Sequence, residues 1–174
     1  MLPSEYVSAI VLPTVDEYLA ATGDLRRAIL ACVVTYHVRD YLAEAGICSR
    51  TEVDRRIKAL CGPFSLDVVE GVCNGSKHVR NTQGDFKFTP GDERPIPVFA
   101  LDVAGSGLDE GRWDFPCLAV EHQSNSICID VCLCAVLGTI GLVFPAEFSG
   151  VDLEGYGKRL PGWPPVGVWP PPGP

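Results

Sequence analysis

Between residues 24 and 44 the apolar positions recur at helical spacing. Leu25, Ile29, Cys32 and Tyr36 follow at steps of four, three and four, and Leu30 and Val33 widen the stripe. Thr22 offers a capping oxygen, Asp24 suits the positive end of a helix, and Gly46 is a natural stop. The pattern predicts one helix over Asp24–Glu44. Before it, Val15–Ala21 reads as a short helix after Pro13, closed by Gly23. Ser49–Asp54 opens a third helix, with Thr51 and Asp54 at capping-box spacing, that runs to about Leu60 and stops at Gly62-Pro63. Phe64–Cys73 carries Phe64, Val68, Val69 and Val72 as the apolar face of a fourth, which Gly75 weakens at its end. Residues 14–80 therefore form a helical unit joined by short turns.

The pattern then changes. Residues 81–123 are punctuated by glycine and proline, with short β-like runs at Phe86–Thr89 and Val98–Val103 and a third candidate strand over Trp113–Glu121. Ile127–Phe144 is a long apolar run whose length favours helix. The last twenty residues hold seven prolines and five glycines, a composition that builds no core and favours polyproline II. The fold class expected is α+β. One domain spans residues 1–150: an antiparallel helical bundle (14–80), a β-rich acidic insertion (81–123) forming a small hairpin or meander, and a C-terminal core helix (127–144). A Pro/Trp-rich extended tail, 151–174, follows.

Charge sharpens these boundaries. The chain of 174 residues carries a net charge of -8. Residues 1–82 hold ten acids and nine bases, residues 83–150 ten acids and three bases, and residues 151–174 two of each. The acidity belongs to the middle region. It excludes a uniformly basic surface of the kind that binds nucleic acid or anionic membranes without selectivity.

Eight cysteines are present, several inside apolar runs where a thiol behaves as a small hydrophobe. A chain of this length can bury a core without staples, so free thiols in a reducing cytoplasm are expected, or association with a virion. Met1–Pro13 has Glu5 and no basic residue ahead of its short apolar stretch, which argues against a secretory signal. His122, Cys128, Cys132 and Cys134 lack the paired knuckles of a zinc site, so no metal and no cofactor is expected. Asp130 inside Ile127–Phe144 argues against a membrane span. No phosphate-binding loop, dinucleotide fingerprint, nucleophile elbow or zinc-protease motif occurs.

The chemistry worth weighing is a polar cluster. His37, Asp40 and Tyr41 share one helical face through their i, i+3 and i+4 spacing. Asn74, Ser76, Lys77 and His78 group an amide, a hydroxyl, an ammonium and an imidazole at the end of the fourth helix. With those helices packed together, Asp40 could pair with Lys77 or orient His78, and a carboxylate that fixes an imidazole tautomer suits acid–base work. This order, His37-x-x-Asp40-Tyr41 followed by Asn74-x-x-Lys77-His78, resembles the HEPN superfamily of helical-bundle proteins, and more closely its short uncharacterised bacterial and phage members. The resemblance covers residues 14–80. It implies a helical bundle and, in the superfamily's active members, metal-independent RNA cleavage by an Arg and a His across a dimer interface. Asp40, Asn74, Lys77 and His78 are the residues it would place in such a site. Cys73 stands where the superfamily's Arg precedes the Asn, so the resemblance implies the scaffold more than the activity.

Three roles follow. The first is a non-enzymatic protein-interaction module, with a protein partner or a second copy as ligand and the Trp163-Pro164-Pro165 and Trp169-Pro170-Pro171 units as the docking segment. The second is a HEPN-type endoribonuclease or toxin, with RNA as partner. The third is a virion or other assembly component that docks through its C-terminal arm.

Overall fold

The computed structural model describes residues 1–61, 64–77, 94–96, 117–122 and 125–160. Helix begins at Pro3, well before the expected start at Val15. α1 (Pro3–Tyr6) passes through a π-helical turn, Val7–Val11, into α2 (Leu12–Leu19). The π turn answers Pro13. A proline inside a helix removes one N–H and crowds the carbonyl four residues back, and the wider turn makes room. The Leu12 N–H reaches back to the Val7 carbonyl, and the Thr14 hydroxyl donates to the Ile10 carbonyl at 2.7 Å.

The helix expected over Asp24–Glu44 is two helices, α3 (Leu25–Tyr36) and α4 (Val38–Glu44), with His37 as their joint. Asp24, not Thr22, caps the first: its carboxylate accepts the Arg27 N–H at 3.0 Å. The expected stripe packs on the core except for Leu30, and the deepest positions centre on the small residues beside it. Ala28, Ala31, Cys32, Thr35 and Tyr36 are buried, while Leu30 is exposed. α3 lies mainly against α6 (Ser65–Lys77). α4 ends at Gly46, whose φ of 74° suits glycine. The Gly46 N–H bonds the Ala43 carbonyl and the Ile47 N–H the Leu42 carbonyl. This Schellman turn sends α5 (Arg50–Lys58) back across α4. The α5 cap is Ser49, whose hydroxyl accepts the Glu52 N–H at 3.3 Å, rather than Thr51.

The described strands are β1 (Arg94–Ile96), β2 (Cys117–His122) and β3 (Asn125–Cys128), an antiparallel sheet in the order β1-β2-β3. Ala119 faces Cys128 and Val120 faces Ile127. Successive side chains alternate faces. Leu118 and Val120 enter the main core, whereas Cys117, Ala119 and Cys128 make a small separate cluster. The runs Phe86–Thr89 and Val98–Val103 lie outside the described residues. The apolar run from Ile127 splits: its first two residues finish β3 and the rest is α7 (Ile129–Val143). Every α7 residue from Cys132 to Gly141 is buried, as a helix apolar on all sides requires. α7 packs against α3, α5, α6 and the sheet. Among the described residues, no helix is long and apolar enough to cross a membrane.

The extended segment expected from residue 151 is packed over its first ten residues. Leu153 and Tyr156 are buried, α8 (Glu154–Gly157) lies on α7, and the Tyr156 hydroxyl donates to Asp16 at 2.8 Å. The physical reason is apolar area: Val151, Leu153, Tyr156 and Leu160 contribute to the core, and burying such side chains is worth about 1.5–3 kcal/mol each. The Pro-rich portion, 161–174, lies outside the described residues.

A Cβ on Gly141 would meet the Leu153 Cβ at 2.9 Å and the Glu154 backbone nitrogen at 3.4 Å. Gly141→Ala should therefore lower stability. Its helix-propensity gain of about 1 kcal/mol is opposed by an overpacking cost of about 1–3 kcal/mol. Urea midpoints of the two proteins check this.

Candidate functional site

Asp40 sits in the first turn of α4, one turn after His37. The His37 Nδ1 and the Asp40 Oδ2 lie 2.6 Å apart. A carboxylate only accepts, so Nδ1 carries the proton, and in the neutral ring the lone pair then sits on Nε2. The pair is partly open to water, with side-chain exposures of 37% and 27%. Asp40 thus orients an imidazole, the one three residues before it, as the helical spacing anticipates.

The other Asp40 oxygen faces α5. The Arg50 Nε lies 2.7 Å from Oδ1, and Arg39 sits at 4.0 Å. Arg39 in turn donates to Asp54 and lies over the Tyr36 ring at 3.9 Å. Burial raises the Asp54 carboxyl above its usual range, against the pull of Arg39. Burial and the nearby Glu70 carboxylate push the Tyr36 phenol well up. Lys58 extends the network by pairing with Asp67 at 2.6 Å. These contacts tie α3, α4, α5 and α6 together. On the inner side of α4, the Tyr41 ring stacks on Tyr6 at 3.9 Å, and the Tyr6 hydroxyl donates to the Val34 carbonyl at 3.0 Å.

Of the sequence candidates, Asp40 is at the centre of this joint. Asn74 lies in α6, half-buried, beside the buried Cys73. Lys77 ends α6; its side chain, His78, and the docking residues Trp163, Pro164, Pro165, Trp169, Pro170 and Pro171 lie outside the described residues. The pairing of Asp40 with Lys77 or His78 therefore stays an expectation, and its partners among the described residues are His37, Arg39 and Arg50. Sequence spacing missed Arg50 and Asp54. The signal was the Gly46 turn, which folds α5 back onto α4.

The cysteines also regroup. Cys128 lies beside Cys117, with sulfurs 2.8 Å apart, rather than with Cys132 and Cys134. Cys117, Cys128 and Asp130 have donor atoms all within 4.8 Å of one another. A cavity of about 230 Å³ near α8, lined by Gly141, Pro145, Phe148, Asp152 and Lys158 among others, includes none of the candidate residues.

No protein-family model matches the chain, and no curated protein or solved structure shows significant similarity to it.

Two outcomes follow from the joint. Asp40→Asn should lower stability by about 1–2 kcal/mol at low salt and by less at high salt, because it weakens partly exposed charge-assisted bonds. Thermal melts at two ionic strengths check this. Tyr6 is pushed up to about 12, by burial first and then by Tyr41, Asp40 and Cys73. An unfolded tyrosine ionises near 10. The contribution of Tyr6 to stability is thus complete below about pH 10 and is lost as pH rises through about 12. Denaturant midpoints should fall across this window, and Tyr6→Phe should flatten part of the fall.

Proposed function

We propose that the chain is a non-enzymatic protein-interaction module, built on a HEPN-like helical unit and reaching a second copy of itself through the Trp-Pro segment after Leu160. The observation that carries this reading is where the cations of the helical unit point. Arg39 pairs with Asp54, Arg50 with Asp40, Arg55 and Arg56 with Glu52, and Lys58 with Asp67. A phosphodiester-cleaving site needs cations aimed at the charge that develops on the substrate. These five are aimed at carboxylates of their own unit: Arg39, Arg50 and Lys58 hold helices to one another, and Arg55 and Arg56 bond Glu52 within α5.

The anchoring of α8 gives the reading its reach. Tyr156 is tied to Asp16, so the following segment starts from a fixed point. In polyproline II, residues 161–174 would extend roughly 40 Å, against a radius of gyration of roughly 15 Å for a domain of this size. Trp163 and Trp169 supply large apolar rings on a backbone that loses little freedom when it docks.

Sedimentation velocity tests the proposal. The full chain should associate with rising concentration, and truncation after Leu160 should abolish association with the melting temperature unchanged. Identical sedimentation of the two chains overturns it.

A second reading, a metal-independent HEPN-type ribonuclease or toxin using Asp40, Asn74, Lys77 and His78, is favoured by the imidazole that Asp40 orients at the surface. Incubation of RNA with the full chain in chelator tests it. Cleavage that disappears in His37→Ala or His78→Ala, with folding retained, supports this reading. An inactive parent removes it.

A further inference from the structure

The cluster of Cys117, Ala119 and Cys128 stands apart from the core and from the polar joint. Cys117 opens β2 and Cys128 closes β3. Cys128 is paired in register with Ala119, two residues along from Cys117, so both thiols project from one face of the hairpin. Ala119, the smallest side chain that still covers the sheet, leaves the diagonal between them open. Their sulfurs are 2.8 Å apart. Non-bonded heavy atoms rest at roughly 3.5–4.0 Å, and a disulfide needs about 2.05 Å. Two thiolates on one tetrahedral zinc, each at about 2.3 Å, would stand roughly 3.7 Å apart. The pair is thus already closer than a shared ion would hold it. Among the described residues only Asp130 joins it as a donor, one short of a closed structural site.

We infer that Cys117 and Cys128 form a dithiol–disulfide site, oxidised by hydroperoxides, that locks the β2–β3 hairpin at the entry to α7. The chemistry balances with hydrogen peroxide as the named oxidant. One sulfur, as thiolate, attacks a peroxide oxygen. The O–O bond breaks, a sulfenic acid forms, and the departing hydroxide takes up the thiol proton as water. The second sulfur attacks the sulfenyl sulfur. The S–S bond forms, the S–O bond breaks, and hydroxide leaves with the second thiol proton as another water. Two electrons pass from the sulfurs to the peroxide. A small oxidant is required, because both thiols are buried and bulky disulfides reach them only when the hairpin opens. The contact with Cys117, burial and the Asp130 carboxylate all push the Cys128 thiol up, so the thiolate is scarce at neutral pH and the reaction is slow. A reducing compartment would return the pair to thiols.

The site has structural consequences because Cys128 is also the cap residue of α7. A bond there ties β2 directly to the start of the central helix. It closes a loop of about a dozen residues, which in the chain-entropy account raises the melting temperature by roughly 5–10 °C.

Peptide mapping of the full chain, treated with hydrogen peroxide, unfolded and alkylated, tests the inference. The expected result is a linked Cys117–Cys128 peptide, a mass lower by two hydrogens, a raised melting temperature, and reversal of all three by dithiothreitol. Cys117→Ser and Cys128→Ser should each remove the link. Separate alkylation of both cysteines after peroxide overturns the inference. So does one zinc per chain by elemental analysis that protects both thiols. The wild-type map decides the matter even where a serine variant fails to fold.

Discussion

Between Cys132 and Gly141 the helix α7 has no residue facing water, and the rest of the structure depends on covering it. A helix apolar all round is stable only where neighbours surround it. α3, α5 and α6 lie against α7, the β2–β3 hairpin leads into it, and α8 folds back onto it. This explains why residues 151–160 belong to the folded body despite the Pro-rich composition just beyond them. At Gly141, Leu153 and the first residue of α8 take the place of a side chain.

Charge works at the outer layer and follows from that arrangement. α3 ends and α4 begins at His37, and α5 packs against α4. Asp40 and Asp54 then collect Arg39 and Arg50 from across the joint. Partly exposed pairs of this kind add little each. Their sharing of carboxylates between helices makes them a latch on the geometry rather than a source of the fold. The two faces of the hairpin likewise separate, with Leu118 and Val120 in the main core and Cys117, Ala119 and Cys128 in a cluster of their own.

Much of the helical unit was legible beforehand, because apolar spacing and turn residues are local. The stop at Gly46 and the helical nature of Ile129–Val143 rest on neighbours within a few residues, whereas α6 runs through Gly75 to Lys77, past the expected end at Cys73. The errors share one cause. Pro13 suggested a helix start because a local rule forbids proline in a regular helix, yet a π turn admits it. Leu30 outweighed Ala28 and Ala31 as a core candidate, since hydrophobicity ranks side chains by size while packing rewards the small ones where helices meet. Of the candidate site, the His37–Asp40 pairing was legible from i, i+3 spacing. Arg50 and Asp54 were not, because they reach Asp40 and Arg39 only through the fold of α5 over α4.

By itself, then, the amino-acid order determined most of the helical stretches between Leu25 and Lys77 and over Ile129–Val143, where the acidity lies, and that Asp40 would neighbour His37. Each of these is fixed by bonds and contacts a turn or less apart. Tertiary structure alone decided which cations neutralise Asp40 and Asp54, that residues 151–160 join the core, and that Cys128 meets Cys117. Those outcomes depend on strand register and on helices crossing at a distance, and a one-residue change of register or a small rotation of a helix would choose different partners.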